Sequence, residues 1–286
     1  MADSPTALKW WFGGALRHLR ENAGLSREDV ATEIGVSVSG ITHQENGRSL
    51  PKPVELERLL SLYRAPEKIE SFKSLRLRAK AGTDWFQDFD PGEMPSDFSL
   101  FLGLESSAAQ LESWDSQIVP GLLQTEAFAR DVISRANPTL KEHEVRHLVA
   151  LRRRRHDLVL SGNPTPLVHR VIAESALRWR VGNDEVMREQ LLFLAAAAQR
   201  PGTRLQILPL STGAHPGVDG SFTLLSSPPE LGNYPGCVYA ETLVDSYLYE
   251  KPDQIAAYRA ALTELQHRAC PPDETPALLR QLAQEW

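Results

Sequence analysis

One stretch, residues 25–47, limits what this chain can fold into more than any other, because its local signals specify a short helix that ends in a sharp turn. Ser26 is a good N-cap, and Asp29 three residues later completes a capping-box pattern. Apolar residues then recur at helical spacing as far as Ile34. Gly35 stands where this helix must end, since glycine adopts positive φ without strain. The pattern therefore predicts a helix followed at once by a reversal of the chain.

A second short helix follows the turn. Ser37 caps it, Ile41 points back toward the first helix, and Gly47 ends it. Two short helices joined in this way are the unit that lays its second helix in the major groove of DNA. The spacing leaves four side chains on the face away from the core: Val38, Ser39, Thr42 and His43.

The surface predicted to meet DNA is this second helix with its surroundings. The four outward side chains are expected to contact base edges, and phosphate contacts are expected from Arg27, Ser37 and Arg48. The first 82 residues carry 13 Lys and Arg against 10 Asp and Glu, whereas the remainder carries 18 against 27. A basic head on an acidic body suits one domain that meets phosphate and another that does not. The alternative is a small helical bundle used only for protein contact.

The same residues resemble the Cro/repressor class of helix-turn-helix, also called the xenobiotic-response-element type. The resemblance extends to residues 13–24, which are similar to the first helix of that class, and to residues 54–63, which are similar to its fourth. It implies a DNA-binding regulator in which an arginine of the first helix pairs with a glutamate near the end of the recognition helix. The matching residues are Arg20 and Glu45. Gln44 departs from the pattern, because the class usually has an apolar residue there.

Composition limits the remaining classes of protein. A hydrophobic content of 42% and a charged content of 24% are ordinary for a globular protein, and 286 residues suffice for two domains. Cys237 and Cys270 show no metal-like spacing, which favours a reducing compartment. The longest apolar run, residues 191–198, is far shorter than the ~20 residues of a membrane span. We therefore expect a cytoplasmic protein without a membrane segment.

Periodicity divides the chain into a helix-turn-helix domain over residues 1–82, a connector over 83–97 and a second domain over 98–286. Residues 1–9 are expected to be disordered, and residues 102–114 are expected to form a helix. Farther along, short runs rich in β-branched residues alternate with helices. The expected fold class is an all-α head followed by an α+β domain with a small, mostly antiparallel sheet. The predicted strands cover residues 167–173, 204–208, 221–226, 237–243 and 246–249.

The second domain also resembles a known type. The segments VPGLLQTEAFAR, AESALRWRVG, LPLSTGAHPGVDGSFTLL and VYAETLVDSYLYEKP are similar to the large domain attached to Cro-type heads in a group of actinobacterial transcriptional regulators. This resemblance implies an architecture and a regulatory role. It carries over no functional residues for the second domain.

Four polar residues beside a loop with three glycines form a candidate effector pocket. The loop, residues 211–220, carries His215 and Asp219 between two predicted strands. Glu241 is expected in the middle of a strand among apolar neighbours, where an unpaired charge is costly, and Glu174 follows another strand. The pattern predicts either a small-molecule pocket or a structural hydrogen bond that fixes the loop.

Two catalytic constellations can be drawn, and other features of the sequence argue against both. Ser221, His215 and Glu241 would supply a nucleophile, a base and an orienting acid, but the sequence contains no GxSxG elbow and no phosphate loop. Residues 143–147 satisfy the HExxH zinc pattern, with His143, Glu144 and His147. Arginines at 146 and 152–155 surround that helical face with cations. We therefore expect no catalytic residues, no cofactor and no metal.

Together these features favour a sequence-specific regulator of transcription that binds a double-stranded DNA operator. A homodimer is expected, because one short recognition helix reads too few base pairs alone. The second domain is expected to sense a small molecule or a small protein partner, with residues 211–220 as the responsive loop. The alternative is an antitoxin-like or protein-interaction module whose DNA binding only regulates its own synthesis.

Overall fold

The computed structural model describes residues 4–89, 96–160, 166–232 and 234–286, which fall into two compact units. The first, called the helical unit, consists of Ala2–Ala109 and Ser226–Gly236. The second, called the sheet unit, consists of Gln110–Leu225 and Cys237–Trp286. These limits differ from the predicted division at residues 82 and 98, because the helical unit runs farther along the chain and takes in a second, distant segment.

The helical unit packs its helices around a core that includes Trp11, Phe12, Leu16, Ile41 and Phe72, each with at most 1% of its surface exposed. The aromatic rings of Phe12 and Phe72 meet edge to face with centroids 5.1 Å apart. The helices are α1 (Pro5–Asn22), α2 (Arg27–Ile34), α3 (Val38–Glu45), α4 (Pro53–Leu62), α5 (Ile69–Lys80) and α6 (Ser96–Ser107).

The local signals around the α2–α3 turn are confirmed. The Ser26 Oγ atom accepts a hydrogen bond from the Asp29 amide at 3.0 Å, and the Ser26 amide donates to Asp29 Oδ2 at 2.9 Å. Gly35 ends α2 with φ of 74°, in the left-handed region that glycine favours. The Ser37 Oγ atom accepts from the Gly40 amide at 3.1 Å and caps α3. Each cap and the turn therefore depends on residues only a few positions away in the chain.

The expectation of disorder is wrong for residues 5–9, since α1 begins at Pro5, while residues 1–3 lie outside the described residues. Ser4 caps this helix and donates a hydrogen bond to Asp84 Oδ1 at 2.5 Å. Asp84 also accepts from the Thr6 amide at 3.2 Å and from Thr6 Oγ1 at 2.6 Å. A carboxylate at a helix N-terminus is favoured by the helix dipole. This anion comes from a residue far along the chain, so local periodicity could not reveal it.

Among the described residues, six strands form one sheet in the order β3-β2-β1-β4-β5-β6. The strands are β1 (Gln110–Asp115), β2 (Leu167–Ala173), β3 (Thr203–Leu208), β4 (Phe222–Ser226), β5 (Cys237–Glu241) and β6 (Ser246–Tyr249). The helices are α7 (Glu126–Ala136), α8 (Glu142–Leu160), α9 (Glu174–Arg178), α10 (Asp184–Ala197), α11 (Pro252–Arg268) and α12 (Thr275–Ala283). Within the described ranges, no helix is both long enough and apolar enough to span a membrane.

The prediction of a mostly antiparallel sheet is wrong, because the sheet is mixed. β1 pairs with β2 in parallel and β2 pairs with β3 in parallel, whereas β4, β5 and β6 pair antiparallel in succession. Parallel neighbours need long crossover connections, and here α7 with α8 and α9 with α10 provide them. The fold class is therefore a helical helix-turn-helix region followed by an α/β domain with a mixed sheet.

The strand β1 escaped prediction, because it overlaps the end of the helix expected over residues 102–114. The helix α6 ends at Ser107, and β1 begins at Gln110. All residues of β1 after the first are buried, although most of the strand is polar (QLESWD), so its sequence lacks the alternation of a half-buried strand. Its partner β2 is distant in sequence, with Trp114 opposite Val171. Pairing with this distant strand overrides the helical spacing of its apolar residues.

Candidate functional site

The outward face of α3 is the first candidate site. Val38 has 37% of its surface exposed, Ser39 and His43 are exposed, and Thr42 is half-buried. On the opposite face Ile41, Gln44 and Glu45 are buried and anchor the helix. The helix therefore presents its predicted reading residues to solvent while its other side is fixed in the core.

Hydrogen bonds distinguish these outward side chains from one another. The Ser39 hydroxyl lies 3.1 Å from the Ser37 hydroxyl, and Thr42 Oγ1 donates to the Val38 carbonyl at 3.0 Å. The His43 side chain makes no hydrogen bond to any described residue, and Arg48 is exposed beyond the end of the helix. His43 is thus the polar side chain of this face whose donors and acceptors remain available to a ligand.

Behind this face, Glu45 is held by two arginines. Arg20 Nε donates to Glu45 Oε1 at 2.5 Å, and Arg20 Nη2 donates to Oε2 at 3.2 Å. Arg27 Nε donates to Oε2 at 2.7 Å. Only 1% of the Glu45 side chain is exposed. The predicted phosphate ligand Arg27 is therefore already committed to a carboxylate through its Nε, a contact that the sequence pattern did not suggest.

The surroundings of this ion pair shift the pKa of two groups. Burial by itself would lower the pKa of Arg20, but the hydrogen bond and the charge of Glu45 outweigh it and raise that pKa. Burial, with the negative charge of Glu45, raises the pKa of Tyr63. Arg20 and Tyr63 therefore both keep their protons throughout the physiological range.

Two further contacts fix the position of α3. A Cβ atom at Gly13 of α1 would lie 2.5 Å from the Gln44 carbonyl oxygen and 2.7 Å from that of Glu45, so only glycine permits this close approach. The Gln44 Nε2 atom donates to Glu55 Oε1 at 2.6 Å, while its Oε1 is buried without a hydrogen-bond partner among the described residues. The polar residue at a normally apolar position thus ties α3 to the start of α4.

The segment Ser226–Gly236 completes the helical unit, and nothing in the sequence pattern indicated it. Glu230 forms an ion pair with Arg78 of α5. The Tyr234 ring meets the Trp11 ring edge to face with centroids 6.1 Å apart. Trp11 Nε1 also donates to the Ser107 hydroxyl at 3.0 Å. The buried indole of α1 is therefore enclosed partly by residues from far along the chain.

In the sheet unit, two of the four predicted effector residues have structural contacts. Glu174 accepts hydrogen bonds from the Leu210 amide at 3.0 Å and from Arg178 Nε at 2.9 Å, and these two bonds lower the pKa of its carboxyl. His215 Nδ1 accepts from the Gly217 amide at 3.1 Å, and its ring packs on Trp114. Glu174 is therefore bonded to the residue just before the loop, and His215 is bonded within it.

The other two, Asp219 and Glu241, line a hollow of about 350 Å³. The expectation that Glu241 is buried in mid-strand is wrong, because β5 ends at this residue and its side chain is exposed. The structure therefore brings Asp219 and Glu241 to one hollow and leaves Glu174 and His215 out of its lining.

The structure does not bring Ser221 and His215 into hydrogen-bond contact. The Ser221 hydroxyl accepts from the Ser116 amide at 2.9 Å and is not hydrogen-bonded to His215, whose Nδ1 is already occupied by the Gly217 amide. No group of three His, Cys, Asp or Glu side chains suited to a metal occurs within residues 4–89, 96–160, 166–232 and 234–286. Of the four consecutive arginines at 152–155, Arg152 and Arg155 are turned inward toward Gly121.

Comparison with known proteins agrees with this two-part organisation. Residues 11–70 match a family model described as helix-turn-helix domain, and residues 98–281 match one described as domain of unknown function (DUF5753). A segment of 56 residues, 19% of this chain, is 43% identical to the HTH-type transcriptional repressor RghR of Bacillus subtilis (strain 168). That segment spans 42% of the repressor, less than half of its length. No solved structure matches the chain.

The two matches carry different information. The N-terminal match and the similarity to a repressor support a DNA-binding regulator, in agreement with the outward face of α3. The C-terminal match spans well over half of the chain. This protein therefore belongs to the DUF5753 family, with a helix-turn-helix domain at its N-terminal end.

Proposed function

We propose that this protein is a cytoplasmic, sequence-specific transcriptional regulator that inserts α3 of a Cro-type head into the major groove of operator DNA. The observation that carries the proposal is the exposed face of α3, which is presented by a helix held rigidly from behind by Glu45 and its two arginines. A rigid element with exposed polar side chains is what direct readout of base edges requires.

The roles assigned to individual residues follow from their exposure. Val38, Ser39 and His43 are placed against base edges, with Thr42 beside them at the half-buried flank of the helix. Ser37 and Arg48 are assigned to phosphate groups, and Arg27 joins them through the guanidinium hydrogens that do not point at Glu45. Phosphate contacts position the helix, and base contacts supply the sequence preference.

Replacing His43 with alanine should change which operator is preferred, because it removes a side chain that reads a base. We expect the affinity for the wild-type operator to fall by about 1–3 kcal/mol, with relaxed preference at one base-pair position. Selection of bound sequences from a random DNA pool measures this.

The matched control is Arg48→Ala, which removes a phosphate contact instead. It should weaken binding to all DNA sequences alike and reduce the slope of log affinity against log salt concentration by about one unit. Identical selected operators for the wild type and His43→Ala would contradict the role given to His43.

The proposal includes a homodimer that binds two half-sites. One recognition helix contacts too few base pairs for useful specificity, and symmetric dimers of this class of protein read half-sites one helical turn apart, about 34 Å. Inserting 5 base pairs between the half-sites turns one of them to the opposite face of the duplex. We expect gel-shift titrations to show a marked loss of affinity for that operator. Unchanged affinity, or a monomer by sedimentation when bound to DNA, would count against a dimer.

The sheet unit is proposed to sense an effector and to control DNA binding through the dimer. A second candidate, an antitoxin-like module that binds a small protein, is favoured by one observation. Leu243 and Val244, on the turn between β5 and β6, are 100% and 90% exposed. Exposed apolar residues beside an edge strand are typical of sites of protein contact. A small protein encoded beside this one that co-purifies with it would favour this candidate.

A further inference from the structure

The hollow beside Asp219 is walled by a chain of aromatic rings. Ring centroids of Phe222 and Tyr258 lie 4.9 Å apart, those of Tyr258 and Tyr249 lie 5.2 Å apart, and those of Tyr249 and Tyr247 lie 6.2 Å apart. All four rings line the hollow. A volume of about 350 Å³ is within the usual range for small-molecule sites, and such aromatic faces attract cations through their quadrupoles.

Carboxylates are the charged groups at this hollow. Asp219 and Glu241 both line it, and no Lys or Arg does so among the described residues. Asp219 forms no ion pair with any described residue. Its charge acts on Tyr258, since burial, the hydrogen bond to Tyr249 and the field of Asp219 together raise the pKa of Tyr258 to about 12. The negative potential of the carboxylate therefore reaches the aromatic wall.

Glu241 differs from Asp219 because a cation of the protein, Arg152, interacts with its charge. Burial and the neighbouring Arg155 lower the pKa of Arg152 to about 10, and Glu241 acts in the opposite direction. Arg152 does not line the hollow. Asp219, which is exposed, is therefore the carboxylate of this aromatic-walled hollow that forms no ion pair with a described residue.

We propose that this hollow binds an organic cation: a small molecule in which an ammonium group is joined to an apolar or aromatic body. The ammonium group lies between Asp219 and the tyrosine faces, and the apolar body packs on Phe222 and on the small residues Ala257 and Ala261 of α11. The identification of this cation as the effector rests on the proposed regulatory function, whereas the binding site itself does not.

Three probes that share one skeleton test the charge preference: 4-phenylbutylamine, 4-phenylbutan-1-ol and 4-phenylbutyrate. Calorimetric titration of the full chain should show that the amine binds about tenfold or more tightly than the alcohol, and that the carboxylate does not bind. Asp219→Asn should weaken binding of the amine by about tenfold and leave binding of the alcohol unchanged. Equal binding of the amine and the alcohol, or of the amine to wild type and Asp219→Asn, would overturn the proposal.

Two variants provide the controls. Asp245→Asn removes an exposed carboxylate on the β5–β6 turn that does not line the hollow, and it should leave amine binding unchanged. Tyr258→Leu removes one aromatic face and should weaken the amine more than the alcohol; equal loss for both would mean that the ring only fills space. Operator affinity is measured with and without the amine. If the amine binds and operator affinity does not change, the binding site is correct but the amine is not the effector. If the protein binds no operator at all, only the proposed function is refuted.

Discussion

Replacing Glu45 with alanine is expected to lower the free energy of unfolding of the helical unit by about 3–5 kcal/mol, because it leaves the buried Arg20 with only the exposed Glu21 as a counter-ion. The Arg20 side chain is only 8% exposed and makes two hydrogen bonds to Glu45. Arg27 loses its hydrogen bond in the same variant. Thermal or urea unfolding of the full chain, followed by circular dichroism, measures the loss.

Glu33→Ala is the matched control for this variant. Glu33 lies on α2 and is exposed, so its removal should change the free energy of unfolding by less than about 0.5 kcal/mol. Glu45→Gln keeps the shape of the side chain but removes its charge. Its loss of unfolding free energy should lie between those of Glu45→Ala and Glu33→Ala. Unfolding of Glu45→Ala at the wild-type midpoint would mean that the pair does not stabilise the fold.

Gly13→Ala is expected to destabilise the helical unit by about 1–3 kcal/mol, although alanine is the better helix former. The added methyl group would meet backbone atoms of Gln44, Glu45 and Gly47, all within 2.8 Å. Backbone cannot move aside as a flexible side chain can, so the end of α3 must shift away from α1. We therefore expect weaker operator binding together with a lower midpoint of thermal unfolding.

Gly40→Ala tests the same substitution within α3 itself. Its methyl group would meet only the Ser37 hydroxyl, at 3.2 Å. The gain in helix propensity, about 1 kcal/mol, is then partly offset by this contact, and the unfolding midpoint should change little or rise. A Gly13→Ala protein as stable as Gly40→Ala would show that α1 and α3 do not approach as closely as described.

Local chemistry explains which parts of this structure could be predicted. The caps at Ser26 and Ser37 and the turn at Gly35 depend on neighbouring residues, so the sequence reveals them directly. The strand β1 could not be found in this way, because it is buried on both faces and is defined by pairing with β2. Likewise, nothing in the positions of Arg27 and Glu45 along the sequence indicates that the two side chains make contact.

Sequence reasoning finds only part of the lining of the hollow. Asp219 and Glu241 were identified from their place beside a loop and a strand, and the structure brings both to one hollow. The sequence does not indicate that the tyrosines of β6 and α11 belong to this lining, since nothing in their spacing shows that the two elements meet. Glu174 and His215 carry equally polar groups, but hydrogen bonds to the loop backbone engage them.

The segment Ser226–Gly236 bears on how such a protein can be divided and recombined. A DNA-binding module that evolution or an engineer can exchange as a cassette must be one uninterrupted stretch of chain. Here the helical unit is made of two stretches, so a single crossover near residue 82 separates Trp11 from Ser107 and from Tyr234. A head transplanted from another regulator would have to accommodate a tyrosine and a glutamate that belong to the recipient's C-terminal half. Exchange of heads within this family therefore requires matched surfaces as well as a compatible junction.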